Sequence, residues 1–354
     1  MSGMPVQYRF PGVVGQAPVQ RILRQALEAD RVAPAYLLEG PAGVGKATMA
    51  VAFAKALNCT HPEQRPCGAC PACRRIQAFQ FPDLWVLVPD RVRHEPLGVE
   101  GWIRPPGYHP TLKISIDQVR EVEREISRPP VEGRRRVVLI LNAENLTIEA
   151  QNALLKVLEE PPAHTVFLLV SSSPTAVLPT IRSRCRTLRF TTLSEEEFRA
   201  LPWAQEGMSV TTLYRLSGGS PGTARLLVER AMLSLRNELL DRWQEQGLAG
   251  LLEFLNLSVR DRQDAHTVLW LLAQVVRDLL LLKLGLDHLV ANVDRMETLK
   301  TLAQGVSEAA LEGLFREIRE VDTALARNIS ARAATISVVA PLVPPSFLDI
   351  LPRF

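Results

Sequence analysis

The sequence predicts an α/β domain with a parallel sheet, followed by a small helical domain and a larger all-helical domain. Short apolar runs alternate with helical patterns up to residue 190, an order typical of a parallel sheet with crossover helices. A Gly-rich segment follows the first buried run, and most periodic segments after residue 191 have helical spacing. We place the domains at residues 1–190, 191–233 and 234–354.

The composition is that of a soluble globular protein. The chain has 354 residues, 47% of them hydrophobic and 22% charged, which suits two or three domains. Its 41 basic and 38 acidic side chains give a net charge of only +3, so its whole surface is not built for nucleic acid, although a local basic face stays possible.

Two segments bear on the cellular location. Residues 1–10 lack the apolar segment of a signal peptide. The apolar stretch at 268–290 is interrupted by Arg277, Asp278 and Lys283, which a membrane span would hold at high cost. We therefore expect a cytoplasmic protein without a membrane span, in which thiols stay reduced.

The elements of the first domain follow from local patterns. Helical spacing predicts a helix at 21–30, and an Ala-rich run without a breaker predicts one at 46–58. Residues 116–126 and 148–159 are also predicted to be helices, and both end before proline pairs. Apolar runs predict strands at 35–38, within 81–88, at 137–141, at 166–170 and at 188–190. Residues 91–113 are rich in proline and glycine and are interpreted as a loop or insertion. Ser194 and the three glutamates after it indicate the first helix of the next domain.

A candidate phosphate-binding loop lies between a predicted strand and a predicted helix. It contains Gly40, Gly43, Gly45 and Lys46. Glycines let backbone N–H groups converge on a phosphate, and the lysine adds a positive charge. The alternative is a Gly-rich turn with an unrelated lysine, but the strand–loop–helix order favours the phosphate loop.

The loop lacks the residues that hydrolysis needs. Ala47 replaces the hydroxyl that would bind Mg²⁺, and Thr48 is rotated by about 100° around the helix. Leu141 and Asn142 stand at the end of the predicted strand where an ATPase needs acidic residues, and Glu144 is interpreted as a solvated residue at a helix start. The sequence leaves open whether the loop binds ATP, ADP or no nucleotide.

Four of the five cysteines are clustered. Cys59, Cys67, Cys70 and Cys73 have the C-x₂-C spacing of a closed tetrathiolate zinc site. An iron–sulfur cluster and unligated thiols are the alternatives, and the Cys-Pro that usually ends the iron–sulfur motif is absent. We predict a structural zinc ion on these four residues and interpret Cys185 as a packing residue.

Longer motifs resemble the bacterial clamp-loader branch of the AAA+ family. They are AQNALLKVLEEPP at 150–162, FLLVS at 167–171 and IRSRC at 181–185, with weaker similarity in FPGVVGQ at 10–16 and LARNI at 325–329. The resemblance covers essentially the whole chain and is strongest over residues 10–190. It implies an AAA+ RecA-like domain carrying a zinc module at 59–73, a helical lid and a helical oligomerisation collar.

Departures from the motor subunits of that family indicate which kind of subunit this is. Motor subunits keep the loop hydroxyl, which is replaced here by Ala47. They also keep an Asp-Glu pair, where this chain has Leu141 and Asn142, and a later arginine, where it has Gly222. The resemblance therefore implies a non-catalytic subunit of the clamp loader of DNA polymerase III, an assembly with DNA polymerase activity.

The same resemblance gives a role to Arg184. In the family, the arginine of Ser-Arg-Cys reaches the ATP site of a neighbouring subunit as an arginine finger, although a plain surface arginine is the simpler interpretation of the residue alone. The implied partners are the gamma/tau motor subunits and the delta subunit, and indirectly the sliding clamp and primer–template DNA.

Two other functions were weighed. One is an active gamma/tau-like motor subunit, against which Ala47 and the pair Leu141–Asn142 argue. The other is a P-loop small-molecule kinase with a zinc lid, which would need an acidic metal ligand and an acceptor pocket that the sequence does not indicate.

Overall fold

The computed structural model describes residues 6–89, 113–201, 203, 209–325 and 330–342. The chain divides into two compact units, one ending at Leu193 and the other beginning at Ser194. The loop predicted at 91–113, except for its last residue, and residues 326–329 of the collar motif lie outside the described residues. The expected further division between lid and collar at residue 233 stays a prediction.

The first unit is built on a parallel sheet. Its described strands are β1 (Gln7–Tyr8), β2 (Ala35–Glu39), β3 (Gln64–Arg65), β4 (Leu84–Leu87), β5 (Arg136–Leu141), β6 (Thr165–Ser171) and β7 (Arg186–Arg189). The main sheet has the order β4-β5-β6-β2-β7, and each neighbouring pair in it is parallel. Strands β1 and β3 form a separate parallel pair.

The two faces of the sheet contribute to two different apolar cores. In β5, every residue is buried. Val137, Leu139 and Leu141 belong to one core, whereas Val138 and Ile140 belong to the other. Because successive side chains of a strand point to opposite faces, the continuous apolar run is buried by helices on both sides, as the sequence predicts.

Six helices among the described residues of the first unit flank this sheet. They are α1 (Ala17–Glu28), α2 (Lys46–Asn58), α3 (Pro71–Gln77), α4 (Ile116–Ile126), α5 (Ile148–Glu159) and α6 (Pro179–Arg182). Helices α1 to α3 contribute to one core and α4 to α6 to the other. Helix α1 begins before the predicted position 21 because Pro18 favours the first helical turn. Helix α3 was not predicted, since it is short and lies among the cysteines.

The second unit is helical throughout its described residues. Its helices are α7 (Glu195–Arg199), α8 (Val210–Ser217), α9 (Pro221–Glu229), α10 (Met232–Ser258), α11 (Arg262–Lys283), α12 (Met296–Gly305), α13 (Glu308–Ala324) and α14 (Ala331–Ser337). A parallel α/β sheet with a Gly-rich loop after β2, followed by helices, is the AAA+ arrangement that the resemblance implied, so the predicted fold class is confirmed.

Helix α11 is the only helix among the described residues that is long and apolar enough to cross a membrane. In this fold it packs against α10, α12, α13 and α14. Val268, Leu272 and Val276 on it are fully buried in the core of the second unit. Its apolar composition is therefore accounted for by burial inside a helical bundle.

A buried polar network fixes part of the second unit. The guanidinium of Arg236 on α10 is 2% exposed and donates to both carboxylate oxygens of Asp294, at 2.8 and 2.6 Å. It also donates to the side-chain oxygen of Asn292 at 2.9 Å. The hydroxyl of Thr212 on α8 donates to Asp294 at 3.2 Å. Since a buried guanidinium needs such partners, this network holds α8 and α10 to the segment before α12.

Candidate functional sites

The candidate phosphate loop connects β2 with α2, so it lies at the carboxyl end of an inner strand. Gly43 and Gly45 adopt φ angles of 73° and 96°, which glycine tolerates better than other residues. Gly40 is required for a different reason. A Cβ atom there would lie 2.3 Å from the carbonyl oxygen of Phe190, which follows β7. The loop is thus tightly packed at its base, and its tip takes a backbone conformation that favours glycine.

Lys46, the first residue of α2, is turned onto the loop itself. Its ammonium donates to the carbonyl oxygen of Gly40 at 2.7 Å, to that of Pro41, and to the hydroxyl of Ser172 at 3.1 Å. Burial lowers the pKa of Lys46 to about 8, although the negative charge of Glu144 opposes that shift. The lysine therefore satisfies its donors within the chain.

The two residues after Lys46 lie in different surroundings. Ala47 packs partly buried against the apolar core of the sheet. A Cβ atom placed on Gly12 would lie 3.7 Å from the Thr48 methyl group, so Thr48 faces the N-terminal segment. That Thr48 does not replace the missing hydroxyl at position 47 stays a prediction.

The end of β5 carries one acidic side chain toward the loop. Leu141 is buried, and Asn142 adopts the left-handed conformation with φ 57°. Glu144 accepts from the backbone N–H of Ser172 at 3.2 Å, and its other carboxylate oxygen is buried without a hydrogen-bond partner among the described residues. Our interpretation of Glu144 as a solvated residue is therefore wrong, because the turn after β5 directs it toward β6 and Lys46.

The four cysteines come together as their spacing predicts. The sulfur atoms of Cys59, Cys67, Cys70 and Cys73 all lie within 4.8 Å of one another. Those of Cys59 and Cys70 are 3.9 Å apart. Tetrahedral zinc with Zn–S bonds of about 2.3 Å requires sulfur atoms about 3.8 Å apart, which matches this cluster. These residues can hold a metal ion such as zinc.

Backbone donors favour a thiolate at Cys70, whereas burial raises the pKa of Cys59 and Cys73. The N–H groups of Cys67, Cys70 and Cys73 lie 3.4, 3.3 and 3.5 Å from the sulfur atoms of Cys59, Cys67 and Cys70 respectively. Burial by itself raises the pKa of Cys70, but the N–H of Cys73 and other nearby donors lower that pKa to about 6. Such N–H···S bonds favour the charged form, which is the form that ligates metal.

Cys185 lies apart from this cluster. It packs partly buried against the core formed with α4 to α6. Burial raises the pKa of its thiol to about 12, so Cys185 remains protonated at neutral pH.

Arg184 lies in the short turn between α6 and β7. Its side chain is 34% exposed and donates to the Glu159 carboxylate at 2.6 Å and to the Thr180 carbonyl at 3.0 Å. Glu159 is the last residue of α5. The candidate finger is thus accessible at the surface, and its guanidinium is held by its own chain.

Sequence reasoning missed three polar residues around these sites. Gln16, which is buried, donates to Thr191 at 2.6 Å and to the Val44 carbonyl in the phosphate loop at 3.4 Å. The hydroxyl of Ser172 accepts a hydrogen bond from the Lys46 ammonium. The carboxylate of Glu39 accepts hydrogen bonds from two arginines near Arg184. Their contacts are distant in sequence. For Glu39, a charged residue in an apolar strand was the only local signal.

Comparison with known proteins is consistent with these features. A family model described as "DNA polymerase III, delta subunit" matches residues 15–194, which is over half of the chain. The DNA polymerase III subunit gamma/tau of Mycobacterium tuberculosis is 32% identical over 251 residues, covering 68% of this chain and 40% of that protein. The chain therefore spans about two fifths of the length of that relative.

Delta-prime subunits match over a larger share of their own length. That of Pseudomonas aeruginosa is 38% identical over 215 residues, covering 59% of this chain and 60% of that protein. That of Escherichia coli is 29% identical over 297 residues, covering 82% of each. With the family match over residues 15–194, these similarities establish that the chain belongs to the DNA polymerase III delta-prime subunit family.

Proposed function

We propose that this chain is a non-catalytic subunit of the clamp loader of DNA polymerase III. The observation that carries the proposal is the phosphate loop, in which Lys46 is bonded to the loop's own carbonyls and Ala47 stands where Mg²⁺ needs a hydroxyl. Hydrolysis requires a bound metal ion and an oriented water molecule. Leu141 and Asn142 lack the carboxylates that would bind the one and orient the other. Any nucleotide at this loop would be bound and not hydrolysed.

The active contribution of the chain is Arg184, supplied to the ATP site of a neighbouring subunit. A guanidinium is planar, always charged and able to donate several hydrogen bonds to a phosphoryl group. Arg184 is partly exposed and lies on a short turn, so a phosphate group of ATP bound to another subunit can approach it. It would stabilise the charge that develops on the transferring phosphoryl group.

The cysteine cluster supports the fold and takes no part in chemistry. Cys59, Cys67, Cys70 and Cys73 would together hold zinc, which in a tetrathiolate site has no open position for substrate. Bound zinc would tie the end of α2 to α3, since Cys59 follows the one helix and Cys73 belongs to the other.

The proposed partners follow from the family. We infer that the chain assembles in the cytoplasm with gamma/tau motor subunits and the delta subunit, and that it acts through them on the sliding clamp and primed DNA. The relatives named delta-prime and gamma/tau subunits of DNA polymerase III support this assignment.

The second candidate is an active gamma/tau-like motor subunit. Glu144 favours it, because this carboxylate lies near Lys46 and has one buried oxygen without a hydrogen-bond partner among the described residues. The similarity to gamma/tau subunits favours it as well. Against it stands the absence of a hydroxyl at position 47.

Reconstitution separates the two candidates. Arg184→Ala and Lys46→Ala variants are each combined with wild-type gamma/tau and delta subunits, and ATP turnover is measured with clamp and primed DNA. A non-catalytic subunit loses more activity with Arg184→Ala than with Lys46→Ala. The reverse ranking would identify a motor subunit.

A further inference from the structure

Glu39 is a buried carboxylate between the phosphate loop and the candidate finger. It is the last residue of β2 and is 6% exposed, directly before Gly40. One carboxylate oxygen accepts from the guanidinium of Arg182 at 3.4 Å, and the other accepts from Arg189 at 3.1 Å. These two arginines stand on either side of Arg184 in the sequence.

Backbone contacts join the same two segments. Glu39 is paired with Arg189 in the parallel register of β2 and β7. The N–H of Phe190 donates to the carbonyl oxygen of Glu39 at 2.8 Å. The base of the phosphate loop and the strand that follows the finger are therefore joined directly by strand pairing.

The turn that carries Arg184 depends on this support. It is held by backbone bonds from Ser183 to Pro179 at 2.9 Å, from Arg184 to Ile181 at 3.1 Å and from Cys185 to Arg182 at 3.3 Å. Such a turn fixes the chain path but leaves its rotation relative to the sheet to side-chain contacts. The bond from Arg182 to Glu39 supplies one of these on the side facing β2.

Charge and burial suggest orientation as the role of Glu39. Arg182 is 34% exposed and Arg189 is 82% exposed, so pairing with them contributes little net stability. A carboxylate that is itself buried still needs both donors, since an unpaired buried charge is costly. Glu39 thereby holds the side chain of Arg182, two residues before Arg184.

We propose that Glu39 is a positioning residue for Arg184, linking the base of this chain's phosphate loop to the finger that it offers a neighbour. This inference rests on the proposed function of Arg184 in the clamp loader. Glu39 touches no reacting atom. It sets the place from which Arg184 reaches the phosphoryl group, and a shift of about 1 Å in such a group can cost a large factor in rate.

A double-mutant cycle tests the proposal in the reconstituted complex. Glu39→Gln, Arg184→Ala and the double variant are compared for the kcat and KM of clamp- and DNA-stimulated ATP hydrolysis. We expect Glu39→Gln alone to lower kcat by about three- to tenfold with KM nearly unchanged, a smaller loss than removal of the finger. In the Arg184→Ala background it should lower kcat no further, because the group that it positions is gone.

Controls distinguish positioning from a structural defect. Glu160→Gln removes an exposed carboxylate near the finger turn and should leave kcat unchanged. Thermal melting and zinc content of Glu39→Gln should match those of the wild type. An equal loss from Glu39→Gln in both backgrounds, or no loss in either, overturns the role of Glu39 while the finger assignment stands. An unchanged kcat for Arg184→Ala overturns both.

Discussion

The guanidinium of Arg184 donates to the carboxylate of Glu159 at 2.6 Å, which joins the turn after α6 to the end of α5. The two side chains are 34% and 53% exposed, so solvent screens the pair and its net contribution to stability is small. A phosphate group carries more negative charge than a carboxylate and can replace Glu159 as the partner of Arg184. The side chain of Arg184 is therefore held in place without being locked to its own chain.

Replacing Arg184 should affect the complex and leave the chain itself intact. We expect Arg184→Ala to melt within about 2 °C of the wild type, because exposed pairs contribute little. In the reconstituted complex it should lower stimulated ATP turnover by at least about tenfold and slow clamp loading. Arg186→Ala, a change of another exposed arginine in the same segment, serves as the control and should retain turnover. Equal losses for the two variants would contradict a specific role of Arg184.

The isolated chain should not hydrolyse ATP above background. The Mg²⁺ hydroxyl is missing at Ala47, and loss of a general base alone costs about 10²–10⁴ in rate. The measurement is phosphate release by the purified chain, with Lys46→Ala and Glu144→Gln as matched variants. All three proteins should give the same background rate. A turnover that Glu144→Gln abolishes would show that this carboxylate acts in hydrolysis.

Zinc should be bound tightly at the cysteine cluster. Protein purified without chelator should contain about one zinc per chain. We expect Cys70→Ser to lose the metal and to lower the melting temperature of the first unit by at least about 5 °C, since ligation contributes to folding. Cys185→Ser, a change outside the cluster, should keep the metal. A folded wild-type protein without metal would contradict the prediction. Iron in place of zinc would identify an iron–sulfur centre at these cysteines.

Asp294 should stabilise the second unit in a pH-dependent way. Although burial raises the pKa of Asp294, hydrogen bonds and charge from Arg236 lower it below its ordinary value of 3.8. Its contribution is therefore complete above that value and is lost as the pH falls through the lower, folded-state pKa. At pH 7, Asp294→Ala should cost roughly 2 kcal/mol, less than for a fully buried pair because the carboxylate is 32% exposed.

The measurement is urea unfolding followed by tryptophan fluorescence, because Trp243 is buried in the core of the second unit. Asp287→Ala, a change of an exposed carboxylate in the preceding segment, is the control and should cost little. The difference between wild type and Asp294→Ala should shrink below about pH 4. A difference that stays constant with pH would show that the Asp294 charge is not what stabilises the network.

Features that depend on short spacings along the chain could be predicted from the residues alone. Continuous apolar runs predicted the buried strands β2, β5 and β6, and helical patterns predicted α2, α4 and α5. The C-x₂-C spacing predicted a cysteine cluster, because residues so close along the chain meet wherever the segment lies. The loop at Gly40–Lys46 was identified in the same way.

Which distant side chains meet depends on how the whole domain folds. Lys46 contacts Ser172, which is 126 positions away, and Glu39 contacts Arg182, which is 143 positions away. The strand order β5-β6-β2-β7 brings these residues together at the carboxyl ends of the strands. That order is set by which faces bury most completely, a property of the whole domain that no local pattern contains. For the same reason, the sequence placed Glu144 in solvent, whereas the fold turns it toward Lys46.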